Sequence, residues 1–202
     1  MKLYYSRGAC SLAPHIILHE LNIACEYSAV DLKTKKTVAG EDYYQINPKG
    51  AVPFLQTDEG FSLSENAVIQ QYLADRYQAY QLLPPLGDRN RYEVLMWLNY
   101  VATDIHKGFS PFFNAEIPSE IKEQIFKPAL LNKFKYLDGI LAGQQYLVGN
   151  QFTLPDSYLF TVLRWCRLCD IRLAEYPSLL RYFERMHQRP SVVTALREEG
   201  LL

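Results

Sequence analysis

Residues 2–12 read Lys2-Leu3-Tyr4-Tyr5-Ser6-Arg7-Gly8-Ala9-Cys10-Ser11-Leu12, and the order of events in this stretch decides the front half of the chain. A short β-prone run, Lys2 to Ser6, is broken by Gly8. A helical pattern over Ser11–Leu21 follows, with Leu12, Ile16, Leu18 and Leu21 on its apolar side. Pro14 falls in the first turn of that helix, where a missing N–H costs least. Cys25–Asp31 (CEYSAVD) then alternates as a second strand does.

Working outward, a polar loop rich in Lys and Thr, with room for a short helix, runs to the turn Asn47-Pro48-Lys49-Gly50. Val52–Thr57 and Phe61–Leu63 read as two strands joined by Asp58-Glu59-Gly60, a hairpin signal. Ser64 opens another helix, with Ala67, Ile69, Tyr72 and Leu73 at helical spacing. The order β-α-β, loop, β-β-α matches a thioredoxin-like layer of mixed sheet and helices. Residues 1–80 therefore form one expected domain. Residues 81–88, with Pro84-Pro85 and Gly87, form a linker.

Everything from 89 to 202 reads as helix. Arg89 to about Phe109 is one amphipathic run and Ser119–Ala142 a second, with Pro128 expected to kink or break the second near Gln124. Thr153-Leu154-Pro155-Asp156 is a helix start of capping-box type, with Thr153 as N-cap and Asp156 at N3. The helix it opens, through Phe160, Leu163 and Trp165, is apolar nearly all round and belongs at the centre of an all-helical domain. Ser178–His187 and Val192–Leu196 are the last two helices. The fold class expected is an α/β thioredoxin-like domain followed by an all-α domain.

Composition excludes several functions. Apolar residues make up 49% of the 202, charged residues 21%, and the net charge is −1. Such a chain buries a core and has no bulk charge for nucleic acid or an anionic membrane. No run approaches the length of a membrane span, and no apolar stretch follows Lys2 and Arg7 as a secretory signal would require. Four cysteines, Cys10, Cys25, Cys166 and Cys169, form no disulfide framework, which suits the cytoplasm.

Four places carry chemistry. Cys10 sits between a strand and a helix start, where free N–H groups and the dipole stabilise a thiolate; an inert buried thiol is the alternative. Ala13 stands where a second cysteine of a two-thiol redox cycle would be. Val52-Pro53 begins a strand. A trans proline is the ordinary reading, whereas a cis proline there would leave Val52 free to pair antiparallel with a peptide-like ligand. Ser64-Glu65-Asn66 sits at a helix start, where Glu65 either complements the dipole or joins the free N–H groups in holding a zwitterionic amino acid. Asn99, Thr103 and His106 fall within about 60° of one another on an α-helix, while Asp104 points about 140° from Asn99. His106 could donate to a thiolate; a solvated polar face is the plainer reading. Cys166 and Cys169 form a CxxC pair with no further zinc ligands in view and read as core residues, so no metal is expected. His15, His19 and His187 have no partners that the sequence identifies.

Taken together, Tyr4–Leu12, Asn47–Pro53, Leu63-Ser64-Glu65-Asn66 and Trp97–Tyr100 with His106–Phe109 resemble the beta-class (bacterial) glutathione S-transferases, and the similarity extends through Phe152–Trp165 to the end of the chain. The resemblance implies an enzyme that stabilises the thiolate of glutathione, its co-substrate, and conjugates it to small hydrophobic electrophiles. It implies a homodimer and no other cofactor. It places Cys10 and His106 beside the glutathione sulfur, leaving room for thiol-transferase or peroxidase activity through Cys10. It assigns Lys35, Val52, Glu65, Asn66, Asn99, Thr103 and Asp104 to glutathione binding. It also implies a cis Val52–Pro53 bond. Asp104, pointing away from the Asn99–His106 stripe, is expected to reach across a two-fold interface to the glutathione of the neighbouring subunit. Asn66 departs from the family's usual small residue and is expected to crowd the γ-glutamyl carboxylate. Dehalogenases, isomerases, peroxidases and non-catalytic binding proteins share this architecture, and the Cys10 and His106 pair argues against the last.

Overall fold

Strand β1 (Lys2–Tyr5) lies at the middle of a five-stranded sheet. It pairs parallel with β2 (Glu26–Asp31), Lys2 opposite Glu26, and antiparallel with β4 (Phe54–Gln56), Leu3 opposite Leu55. The edges are β3 (Lys36–Thr37), antiparallel to β2, and β5 (Ser62–Ser64), antiparallel to β4, giving the order β3-β2-β1-β4-β5. The parallel β1–β2 pair requires a crossover, and α1 (Leu12–Glu20) supplies it. Successive β1 residues point to opposite faces. Tyr4 packs with Val30, Tyr43 and Phe54 on one side. Leu3 is fully buried, as are Leu12 and Ile16 of α1 and Ile69 of α3 (Asn66–Arg76).

The computed structural model describes all 202 residues, and they group into two units. The first is Met1–Tyr80 with Arg189–Leu202; the second is Gln81–Gln188. The last helix, α10 (Pro190–Glu198), therefore packs on α1 in the first unit, although its sequence position suggested the helical half. Arg189 pairs with Glu20, and Ser191 Oγ donates to the same carboxylate at 2.6 Å. Residues expected to form a free linker belong to the second unit. Leu82 and Leu83 are buried, and the Leu82 carbonyl accepts from the N–H of Leu154. The loop before β4 also carries structure that the sequence reading left open: β3 and the four-residue α2 (Tyr43–Ile46).

The second unit is all helical: α4 (Arg89–Tyr100), α5 (Lys107–Phe113), α6 (Ser119–Ile121), α7 (Lys127–Leu141), α8 (Leu154–Leu163) and α9 (Pro177–His187). Helix α8 is buried along its whole length. Its start matches the capping-box expectation: Asp156 Oδ2 accepts from the Thr153 N–H at 2.8 Å, and Oδ1 accepts from the Leu147 N–H at 3.0 Å. Two stretches wind wider than an α-helix. Residues Val101–His106 and Lys122–Phe126 are π-helical, each continuous with its neighbours. The second coincides with the distortion expected near Gln124. Pro128 has no N–H for the Gln124 carbonyl, and the chain widens there without breaking.

Candidate functional site

In the first unit the loop before β4 is pinned from below. The Ala51 carbonyl accepts from the Tyr43 hydroxyl at 2.9 Å and from Asn47 Nδ2 at 2.8 Å. Lys35 Nζ donates to the Gly50 carbonyl at 2.8 Å. Gly50 has φ +56°, and a Cβ there would stand 2.6 Å from the Tyr44 ring, so both backbone and space require glycine. The peptide bond between Val52 and Pro53 is cis. Cys10 lies against this loop, its Sγ 3.4 Å from the Val52 carbonyl oxygen.

Cys10 is in a turn two residues ahead of α1, half-buried. Ser11 follows it and is fully buried, its hydroxyl accepting from the Ser6 N–H at 3.1 Å and lying 3.3 Å from the Ser6 carbonyl oxygen. The Ser11 side chain thus braces the turn. From the other side, Asn66 Nδ2 donates to the Cys10 carbonyl at 2.6 Å, and Gln70 Nε2 donates to Asn66 Oδ1 at 2.6 Å. Asn66 is buried, its amide bonded to Cys10 and Gln70.

Glu65 adopts φ +71° immediately before α3, a conformation uncommon for a residue with a Cβ. Such strain is most often found at binding and catalytic sites. It holds an exposed carboxylate beside the first free N–H groups of an eleven-residue helix, with Lys49 Nζ 2.8 Å away. Cys10, Val52, Glu65 and Asn66, picked out separately in the sequence, are therefore brought together, with Lys35 holding the loop that carries Val52.

In the second unit Asn99, Thr103, Asp104 and His106 lie on α4 and the π-helical turn after it. The 100° step assumed for this stretch does not hold beyond Tyr100, because the turn is wider there. The Thr103 hydroxyl donates to the Asn99 carbonyl at 3.0 Å. Asp104 Oδ1 is 3.2 Å from Lys133 Nζ, and that ammonium also donates to the Asp104 carbonyl at 2.9 Å. His106 is half-buried. Its Nδ1 is 2.5 Å from the Tyr158 hydroxyl, and its ring meets Trp165 edge-on at 4.9 Å. Burial pushes the imidazole down to about 4, and the neighbouring Lys107 charge adds to the effect. His106 is thus neutral near pH 7 and offers one N–H.

The N-terminal domain model of glutathione S-transferases matches residues 1–75, and the C-terminal domain model matches residues 100–190. A glutathione S-transferase of Escherichia coli O157:H7 is 43% identical over the full length of both chains. The chain belongs to the glutathione S-transferase family. A sphingomonad glutathione S-transferase solved in complex with glutathione superposes with a TM-score of 0.95 at 42% identity, covering 100% of both chains. A bacterial beta-class enzyme from Sphingomonas chungbukensis does so with a TM-score of 0.95 at 40% identity, again covering 100% of both chains. The family's fold, a thioredoxin-like domain followed by an all-α one, is the one described above.

Two features of this transferase were hidden in its sequence. Tyr158 reads there as one more core aromatic of an apolar helix, and only the folded chain puts its hydroxyl on His106. The histidines of α1, which lacked partners, meet carboxylates carried by α10. Cys166 and Cys169 are buried and unpaired, as core residues would be, and burial raises the Cys166 thiol well above its ordinary value. No helix is long and apolar enough to cross a membrane.

Proposed function

We propose that this chain binds glutathione as co-substrate, stabilises its thiolate and transfers it to small hydrophobic electrophiles. The observation that carries this reading is Glu65. A residue held at φ +71° sets a carboxylate beside the open N-terminus of α3. That pair is complementary to the ammonium and carboxylate of one α-amino acid, as found at the γ-glutamyl end of glutathione. We assign the backbone of Val52 to the peptide-like middle of the ligand, with Lys35, Asn66, Asn99, Thr103 and Asp104 completing the binding set. Cys10 and His106 are assigned to the sulfur, with thiol transfer or peroxide reduction as a second activity of Cys10.

We further propose a homodimer in the reducing cytoplasm. Tyr92 and Met96, one turn apart on α4, are 67% and 59% exposed, and Val68 on α3 is 44% exposed. Apolar side chains in this number on helix faces suit a subunit interface. Four cysteines in no disulfide suit a reducing compartment. The decisive experiment is retention on immobilised glutathione followed by a conjugation assay with an aromatic halide, for the native chain and Glu65→Ala. The native chain is expected to be retained and active, and Glu65→Ala to lose retention. Native chain that passes through unretained and inactive would overturn the reading.

A further inference from the structure

Helix α1 presents His15 and His19 one turn apart, and α10 lays Glu198 and Glu199 against that face. His15 is 1% exposed. Its Nδ1 lies 3.0 Å from Oε1 of the buried Glu199, and its Nε2 lies 2.8 Å from Oε2 of Glu198. Nε2 of His19 approaches the same Glu198 oxygen at 2.9 Å. One ligand atom from each of His15, His19 and Glu198 falls within 4.8 Å of the other two. The ring of Tyr27 lies over both imidazoles, with centroids 4.1 Å and 5.9 Å away. Its hydroxyl is buried with no hydrogen-bond partner.

A neutral imidazole has one N–H. If His15 gives it to Glu199, a lone pair on Nε2 faces lone pairs on the Glu198 oxygen at hydrogen-bond distance. Something positive must lie between them. A second proton would do, making His15 an imidazolium held by two glutamates. In that arrangement a neutral His19, protonated on Nε2, donates to the same Glu198 oxygen, so hydrogen bonds are the competing account of this cluster. A metal ion held by both imidazoles and the carboxylate satisfies the same three groups. Two imidazole nitrogens four residues apart on a helix, with a carboxylate from a facing element, are an ordinary zinc donor set. Glu199 takes the place of the outer carboxylate that fixes a ligating histidine through its other nitrogen. The Glu198 side chain is 44% exposed and that of His19 is 21% exposed, so a fourth position opens to solvent.

We propose that His15, His19 and Glu198 form a binding site for zinc, or another divalent ion that prefers imidazole nitrogen, which fastens the last helix to the first. Zinc sits about 2.0–2.1 Å from such donors, so its ligand atoms stand roughly 3.3 Å apart. The present His–Glu contacts, 2.8 and 2.9 Å, are shorter than that, so the Glu198 oxygen would move outward on binding. Magnesium and calcium, which prefer all-oxygen cages, do not suit this donor set.

The test is titration of metal-stripped native protein with zinc against a chromogenic chelator, alongside cobalt absorption spectra. One zinc per chain is expected, with a thermal midpoint raised by several degrees at saturating zinc. His19→Ala and Glu198→Gln should each weaken binding at least tenfold and remove the midpoint shift. Neither side chain is fully buried, so these variants should fold, and circular dichroism checks it. Glu199→Gln should weaken binding by about ten- to a hundredfold through His15. The cobalt complex should show visible d–d bands without near-ultraviolet thiolate absorption. Absence of saturable zinc binding, undiminished affinity in His19→Ala and Glu198→Gln, or a thiolate band would each overturn the site. The helices would then be joined by the histidine–glutamate hydrogen bonds alone.

Discussion

The hydroxyl of Tyr158, on the buried α8, lies 2.5 Å from Nδ1 of His106, on the π-helical turn after α4. With the imidazole neutral, a Tyr158 O–H donated to Nδ1 leaves the proton on Nε2, fixing which edge of the ring is a donor. Tyr158 is then a positioning residue for His106. Tyr158→Phe should lower kcat for conjugation about three- to tenfold and leave KM for glutathione nearly unchanged. A change in KM alone would mean that Tyr158 serves binding and not the imidazole.

The low value for His106 has a consequence for pH. A histidine lowered from 6.5 to about 4 by folding adds stability above pH 6.5 and loses it as pH falls toward 4. Its charge does not change between pH 6 and 8. The kcat profile of the native enzyme should therefore show no inflection near 6.5 assignable to His106, and His106→Gln should leave the profile's shape in that range unaltered. An inflection near 6.5 that disappears in His106→Gln would count against a neutral His106.

Asp156 should behave in the opposite sense. Burial raises its carboxyl from 3.8 to about 6, against the Leu147 and Thr153 N–H groups that pull it down. A raised acid binds its proton more tightly when folded, so stability falls as pH rises from about 4 to 6, by about 3 kcal/mol at most. Asp156→Asn should abolish that component in denaturant titrations across this window. Asp156→Ala strands three buried donors, the Leu147 and Thr153 N–H groups and the Thr153 hydroxyl, and should cost roughly 3 kcal/mol or more at pH 7. A variant as stable as the native chain would remove the cap from the account of α8.

Asp156 was legible in the sequence because the capping pattern Thr153-x-x-Asp156 is local. The strand and helix order was legible for the same reason: alternation and helical spacing are read within one element. What escaped depends on distant packing. Edge strand β3 is two residues long, too short for a period to show. Proline placement located the widening near Gln124, but nothing as plain marks the Val101–His106 turn, so α-helical angles applied to Asp104 were misplaced there. The burial of the Ser11 hydroxyl against Ser6 likewise follows from the fold and carries no local signal. Asn66 looked like an obstruction until it turned inward.

That inward turn is testable. Asn66 links the Cys10 carbonyl to Gln70 with two hydrogen bonds, each worth about 1 kcal/mol. Asn66→Ala should lower the thermal midpoint by several degrees, while KM for glutathione changes less than threefold, since the side chain is engaged by Cys10 and Gln70. A large rise in KM with an unchanged midpoint would show that the side chain itself meets glutathione.

Asp104 is expected to bind the neighbouring subunit's glutathione, although in the single chain its carboxylate is occupied by Lys133. Surface pairs of this kind contribute less than about 1 kcal/mol, so Asp104→Ala should leave stability nearly unchanged. Glutathione should bind about tenfold more weakly, and Lys133→Ala should not reproduce that loss. Equal losses in the two variants would reduce Asp104 to a brace for its own turn.

Cys10 has two available roles, and its surroundings separate them. As a thiol it hydrogen-bonds the Val52 carbonyl at 3.4 Å, a contact that holds the sulfur in place but keeps its proton. Conjugation needs the glutathione sulfur ionised, and in that reaction we propose Cys10 as one donor among several, with His106 Nε2–H another. Thiol transfer needs Cys10 itself as thiolate, attacking a glutathione mixed disulfide and expelling the other thiol; a second glutathione then releases the enzyme as oxidised glutathione leaves. Ala13 offers no resolving thiol, so that second glutathione is obligatory. Cys10→Ala should therefore abolish disulfide reduction and lower conjugation only about three- to tenfold, the loss of one hydrogen bond. His106→Ala should impair both reactions, since it removes a donor to either sulfur. Ser11→Ala, which removes a brace and not a donor, should lower stability without a selective effect on either reaction. If Cys10→Ala erases conjugation as completely as disulfide reduction, donation is not shared, and Cys10 is the main group that ionises glutathione.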